Sequence, residues 1–180
     1  DITANDIIAA GGIIGIDIGE GTVNFPIYQD FKFNPDASTT FNKGYGSVMD
    51  EAVARLSQMG RPFDSRKKLV EWMIEAKDKA LMRSKYREVM DIVNTEINIF
   101  TDELVRQFSS VLERNGAFAE VVYVYGGGAS PIQDRLQHVL IDIVTELAMK
   151  YFVVVNTLCV PYKEYEEKKS WYDFFVNIER

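Results

Sequence analysis

The feature that most constrains this chain is a glycine-rich turn between two apolar runs, in residues 13–24. The first run ends at Asp17, and Gly19 and Gly21 lie in the turn before the second run begins. Because glycine adopts backbone conformations closed to other residues, the N–H groups of such a turn can point inward around an anion. Asp17 can then hold a hydrated cation beside that anion. A tight hairpin also uses glycines for shape alone, so the turn by itself leaves both interpretations open.

A second glycine cluster, residues 126–128, favours the anion-binding interpretation. It follows the continuous apolar run 121–125, which is typical of a strand buried on both faces. Ser130 then predicts a helix N-cap, with Pro131 at the first helical position. Both glycine clusters therefore come directly after a buried strand.

The hydrophobic pattern predicts an α/β fold. Strands are expected over 13–18, 22–28, 31–33, 121–125 and 152–155, and residues 38–41 briefly extend the first three; helices are expected over 47–58, 66–81, 84–114, 131–147 and 163–178. This order predicts a mixed five-stranded sheet, formed by a three-strand antiparallel meander and then two βα units, with a helical insertion. Strand 13–18 is expected to lie centrally, parallel to strand 121–125. The glycine clusters then meet at adjacent carboxyl ends, where open α/β sheets bind ligands.

Composition excludes several classes of function. The length of 180 residues fits one domain or one large lobe, and a net charge of −7 argues against direct nucleic-acid binding. With one cysteine and one histidine, the chain offers neither a His/Cys metal site nor a choice of catalytic triads. Any metal is expected to have oxygen ligands, as magnesium does. The pattern shows no secretory signal and no membrane span, so a cytoplasmic location and no membrane partner are expected.

Residues 16–22 resemble the second phosphate loop of actin-like ATPases, and residues 122–130 resemble their adenosine motif. That superfamily includes actin, MreB, ParM and DnaK-type chaperones, and the resemblance covers essentially the whole chain. It implies the second, ribonuclease H-like lobe of the actin fold. Residues 17–22 together with residues 41–46 are most similar to plasmid-segregating actins of the ParM and Alp type.

The resemblance also implies a division of the chain. Residues 1–12 are expected to lead in from a first lobe. Residues 13–60 and 86–180 are expected to form the nucleotide-binding lobe, similar to actin subdomain 3. Residues 61–85 are expected to form a helical insertion similar to actin subdomain 4, whose basic run, residues 66–68, is expected to meet the next subunit.

The resemblance assigns roles to residues of the first cluster. Asp17 is expected to orient magnesium-bound water and so to act in catalysis and, through water, in metal binding. Gly19, Gly21 and Thr22 are expected to wrap the β- and γ-phosphates. Glu20 departs from the superfamily, which often has glycine at this position. A carboxylate so near phosphates is repulsive unless it points away or meets the metal.

The resemblance assigns nucleotide contacts to the second cluster as well. Adenosine is expected to lie against the backbone at a helix N-terminus, formed by Gly126, Gly127, Gly128 and Ala129. A residue on the helix that starts near position 84 commonly touches the ribose or base. Lys85 and Glu88 are candidates for that contact, or are ordinary solvated helix charges.

The function implied is a filament-forming ATPase of the ParM type, which hydrolyses ATP or GTP with magnesium in the bacterial cytoplasm. Its expected partners are further copies of itself, head to tail, and a DNA-binding adaptor of the ParR type. The alternatives are a non-polymerising chaperone or small-molecule kinase relative, and a nucleotide-binding pseudoenzyme scaffold. Because phosphoryl transfer needs groups from both lobes, this chain alone is expected to be inactive.

Overall fold

The computed structural model describes residues 11–30, 32–77, 83–115, 121–146 and 151–154. The strands are β1 (Gly12–Ile18), β2 (Val23–Phe25), β3 (Ile27–Gln29), β4 (Lys32–Phe33), β5 (Thr39–Phe41), β6 (Val121–Tyr125) and β7 (Tyr151–Val154). The helices are α1 (Tyr45–Gln58), α2 (Arg66–Lys77), α3 (Arg83–Asn115) and α4 (Ala129–Glu146). The predicted final helix, 163–178, lies outside the described residues.

The strands form one mixed sheet with β1 at its centre. On one side β6 pairs in parallel with β1, and β7 pairs in parallel with β6. On the other side β2 and β3 pair antiparallel with the two ends of β1, and β5 and β4 continue outward from them. The predicted mixed sheet and the parallel neighbours 13–18 and 121–125 are therefore confirmed.

The predicted count of five strands was wrong, because the described sheet has seven. Pro26 divides the predicted strand 22–28 into β2 and β3. Proline has no N–H to donate, although its carbonyl still accepts a hydrogen bond from the Gly15 N–H at 2.8 Å. The additional strand β5 is the segment that the sequence predicted as a brief extension.

The core lies between the sheet and the helices α1, α3 and α4. Strand β1 alternates, so that Ile14, Ile16 and Ile18 are fully buried. Phe25 and Phe108 stack across the sheet–helix interface with ring centroids 6.4 Å apart. These side chains belong to one continuous apolar cluster, so β1 is packed into the core as far as its last residue, Ile18.

Helix α2 packs against α1 and α3, and an aromatic group lies at its contact with α3. Trp72 contacts Phe63 edge to face at 5.7 Å and stacks on Tyr86 of α3 at 6.4 Å. Leu69 of α2 is fully buried. No helix in the described ranges has the length and apolar character required to cross a membrane.

Candidate functional site

The two glycine clusters lie side by side at the carboxyl ends of the neighbouring strands β1 and β6. We define the first glycine loop as residues 19–22 and the second glycine loop as residues 126–128. In the parallel register Asp17 lies opposite Tyr125, so β1 and β6 end together. The Gly128 N–H donates a hydrogen bond to the carbonyl of Ile18 at 2.8 Å. The sequence predicted this juxtaposition, and the structure confirms it.

Gly126 joins the second loop to the acidic end of β1. Its φ of +100° is a conformation that favours glycine. A Cβ on Gly126 would lie 2.6 Å from the Ile18 amide nitrogen and 2.7 Å from Oδ1 of Asp17, and closer still to the Ile18 carbonyl oxygen. Only glycine therefore allows this backbone to approach the Asp17 carboxyl group.

Asp17 is half-buried at the junction of the two loops. Burial raises the pKa of its carboxyl group, and a hydrogen bond from the Asn24 side chain partly opposes that shift. Burial, followed by the negative charge of Asp17, raises the pKa of Tyr125 well above its usual value. Tyr125 therefore keeps its proton beside the carboxylate at neutral pH.

The donor set fits magnesium held through water. Within the described ranges, no three Asp, Glu, His or Cys side chains converge to form a metal cage. Magnesium dehydrates reluctantly and is often held by one or two carboxylates plus substrate phosphates. One half-buried carboxylate beside a candidate phosphate site, as at Asp17, matches that requirement.

The first glycine loop also closes the hairpin between β1 and β2. The Gly19 N–H donates to the carbonyl of Thr22 at 2.9 Å. Gly21 is exposed, and a Cβ there would have no neighbour within 4 Å. Thr22 is half-buried. The loop thus has the hairpin shape, one of the two interpretations of its glycines, and presents Gly21 at an open surface.

The start of α1 is hydrogen-bonded to the first glycine loop and supports it. The N–H groups of Tyr45 and Gly46 donate to the carbonyls of Gly19 and Glu20 at 3.0 and 2.8 Å. A Cβ on Gly44 would lie 2.5 Å from the Glu20 carbonyl oxygen. This supporting role of Gly44 and Gly46 was not predicted from the sequence. Its signal is a pair of glycines separated by one residue, at the N-cap and the second position of α1.

Glu20 contacts helix α2. Its Oε1 lies 2.6 Å from Nη2 of Arg66, and Nη1 of Arg66 lies 3.0 Å from Oδ2 of Asp50 on α1. The Glu20 carboxylate is therefore paired with a guanidinium on α2, which it shares with Asp50. This pairing also uses a member of the basic run, residues 66–68, so that run is not a free cationic tip.

The three glycines of the second loop differ in their surroundings. Gly128 is buried, and a Cβ there would lie 2.6 Å from Cβ of Tyr45. Gly127 is exposed, and a Cβ there would meet nothing within 4 Å. Helix α4 begins at Ala129, one residue before the predicted cap Ser130. Gly126 and Gly128 thus join the loops, whereas Gly127 faces open space at the helix N-terminus.

Lys85 and Glu88, the candidates for the ribose or base contact, are both exposed on α3. The Glu88 carboxylate forms an ion pair with Arg61, which ties α3 to the segment before α2. Their contact with a nucleotide stays a prediction.

Comparisons with known proteins agree with this geometry. The profile of the family described as "Archaeal actin homologue MreB-like, C-terminal" matches residues 15–138, more than half of the chain. That segment contains both glycine loops. No curated protein matches the chain significantly in sequence.

Solved structures of actin homologues have the same fold. The chain resembles Bacillus thuringiensis ParM with ATP at 17% identity and a TM-score of 0.60, covering 86% of this chain and 43% of that one. It resembles an archaeal actin homologue at 15% identity and a TM-score of 0.62, covering 92% of this chain and 52% of that one. The chain thus spans about half the length of these structures or less.

Proposed function

We propose that this chain, which belongs to the family of C-terminal domains of archaeal MreB-like actin homologues, is the nucleotide-binding second lobe of a filament-forming ATPase. It is a member of the actin-like ATPase superfamily near ParM. The observation that carries the proposal is the close approach of Gly126 to Asp17, which leaves no room for a Cβ and brings the two glycine loops together at one acidic strand end. A hairpin and a strand-to-helix turn that serve only the chain's shape do not require this approach.

In this proposal each loop binds a different part of the nucleotide. The first glycine loop, with Gly19, Gly21 and Thr22, wraps the β- and γ-phosphates. The adenosine crosses Gly127, which has no side chain to obstruct it, near the N-terminus of α4. ATP is the first candidate, because a ParM of this fold is described with ATP; GTP is the alternative.

Asp17 has the central chemical role proposed for this lobe. When magnesium is bound, it neutralises developing charge on the phosphates. Asp17 holds and orients a water of the metal shell, and the hydrogen bond from Asn24 fixes the carboxylate in place. The first lobe supplies the remaining groups, so this chain alone is proposed to be inactive.

The partners are proposed on the same basis. We propose head-to-tail self-association, as the resemblance to plasmid-segregating actins implies; such a contact propagates as a filament when the rotation does not close. We further propose a DNA-binding adaptor of the ParR type and a role in plasmid segregation, with no direct contact to nucleic acid.

The substitution Asp17→Ala in the full-length protein tests the catalytic assignment. We expect phosphate release to fall by at least about 100-fold, the scale typical for loss of a positioned electrostatic group. Glu51→Ala, which removes an exposed carboxylate from α1, is the matched control and keeps turnover. Phosphate release near the wild-type rate from a folded Asp17→Ala protein removes Asp17 from the mechanism.

Light scattering of the full-length protein with ATP and magnesium tests the assembly assignment. A rise in scattering that requires nucleotide supports a filament. Turnover without scattering indicates the non-polymerising alternative, and binding without turnover indicates the pseudoenzyme scaffold.

A further inference from the structure

Three charged side chains link the first glycine loop to helices α1 and α2. Arg66, the first residue of α2, places Nη2 at 2.6 Å from Glu20 and Nη1 at 3.0 Å from Asp50. One guanidinium thus bridges two carboxylates on two different elements. We call these three residues the loop bridge.

Gly46 lies against the loop bridge, where there is no room for a side chain. A Cβ on Gly46 would lie 2.7 Å from Nη1 of Arg66 and 2.9 Å from Cγ of Glu20. Any side chain at this position would displace both partners. The same residue donates its N–H to the Glu20 carbonyl at 2.8 Å. The loop bridge and the support of the loop by α1 therefore meet at one glycine.

The charges of the loop bridge do not cancel. Two carboxylates and one guanidinium leave one net negative charge beside the loop proposed to bind phosphates. Coulomb repulsion between that charge and a triphosphate depends on how far the Glu20 carboxylate is turned aside. Arg66 sets that distance, because it is the ion-pair partner of Glu20.

We propose that Arg66 is a positioning residue that acts through Glu20, holding this carboxylate away from bound phosphates and transmitting the state of the loop to helix α2. The inference rests on the proposed function, since it takes the first glycine loop as the phosphate site. Arg66 itself need not touch the nucleotide. A triphosphate in the loop adds negative charge near the guanidinium, so it changes the balance among the three members of the bridge.

A tryptophan on helix α2, Trp72, can report a movement of that helix when nucleotide binds. Trp72 lies on α2 and stacks on Tyr86 of α3 at 6.4 Å, with Phe63 at 5.7 Å on its edge. A shift of α2 relative to α3 changes the surroundings of this indole. The part of any nucleotide-dependent change in tryptophan emission that Trp72→Phe removes therefore measures the movement of α2.

The experiment uses the full-length protein and two ATP titrations. Calorimetry measures the ATP affinity, and a parallel fluorescence titration measures the Trp72 signal, which is the part of the emission change that Trp72→Phe removes. For Arg66→Gln we expect an ATP affinity about fivefold weaker, the upper range for an exposed ion pair, and loss of the Trp72 signal. Arg106→Gln is the matched control, because it removes an exposed guanidinium from α3. It should leave both readouts unchanged.

The double variant Glu20→Gln/Arg66→Gln separates positioning from direct contact. If Arg66 acts by neutralising Glu20, removing both charges restores wild-type affinity while the Trp72 signal stays absent. If affinity is not restored although thermal unfolding matches that of the wild type, Arg66 contacts the nucleotide itself and the positioning role is overturned.

Two further outcomes are distinguishable. Arg66→Gln behaving like Arg106→Gln in both readouts overturns the inference while leaving the proposed function intact. Failure of the wild-type protein to bind either ATP or GTP overturns the proposed function, and the inference with it.

Discussion

Replacing Gly126 with alanine should disrupt the junction on which the candidate site depends. Gly126 has a φ of +100°, which costs a residue with a Cβ about 1–3 kcal/mol. The added Cβ would also collide with the Ile18 carbonyl, which accepts the hydrogen bond from the Gly128 N–H. Loss of that hydrogen bond costs about 1 kcal/mol, whereas the stiffer unfolded chain returns about 0.4–1 kcal/mol.

The net expectation is a loss of about 1–3.5 kcal/mol in the free energy of unfolding, centred near about 2 kcal/mol. With a urea dependence of about 2 kcal/mol per molar, the midpoint of unfolding falls by about 1 M. Far-UV circular dichroism of the full-length protein during urea titration measures it.

The matched control is Gly127→Ala, one residue along the same loop. Its φ lies outside the left-handed range, and its Cβ would meet nothing within 4 Å. Its midpoint should therefore stay within about 0.25 M of the wild type. Equal midpoints for the two variants would refute the reasoning, because they would show that Gly126 is no more constrained than its neighbour.

Three further predictions follow from the charges. Burial raises the pKa of Asp17, so its ionisation opposes folding; that penalty is absent below the unfolded pKa and grows as pH rises through the folded pKa. Asp17→Asn should thus raise the urea midpoint at neutral pH and lose this advantage below about pH 4. Arg55→Leu leaves the buried Glu96 carboxylate unpaired and should cost about 1–3 kcal/mol, because the Arg55 side chain is itself partly exposed. Urea unfolding measures this loss, which should be recovered in Arg55→Leu/Glu96→Leu. Lys67→Glu should raise the critical concentration for assembly, measured by sedimentation, and leave ATP affinity unchanged. If the variant sediments as the wild-type protein does, the filament contact lies elsewhere.

The choice of Lys67 shows what the structure adds to the sequence. Reversing the whole basic run, residues 66–68, is the obvious test of an exposed tip. Arg66, however, holds Glu20, and Lys68 pairs with Glu71 at 2.8 Å. The triple reversal would disturb the phosphate loop together with the surface, so its result would not identify the filament contact.

Much of the fold followed from local pattern. Apolar runs ending in glycine predicted β1 and β6, and the preference for parallel βαβ connections predicted that they are neighbours. The helices α1 and α3 were predicted to within about two residues, because their apolar faces repeat with the helical period. The break at Pro26 was missed, because strand 22–28 was predicted as continuous, although a proline cannot complete a strand ladder.

Side-chain partners between distant segments were not predicted from the sequence. The direction of the Glu20 side chain depends on Arg66, which enters the site from another element. The supporting role of Gly44 depends on how closely the start of α1 approaches the loop carbonyls. Such contacts arise from tertiary packing, which no local period encodes.

The most direct test of the nucleotide site is an ATP titration of Gly127→Val in the full-length protein, with magnesium present. Gly127 is exposed and its surroundings are open, so valine should leave the urea midpoint near that of the wild type. If adenosine crosses this residue, the dissociation constant for ATP rises by more than about tenfold, or about 1.4 kcal/mol, with Gly127→Ala intermediate. A folded Gly127→Val protein that binds ATP as tightly as the wild type would contradict the account, because the second glycine loop would then serve only the turn.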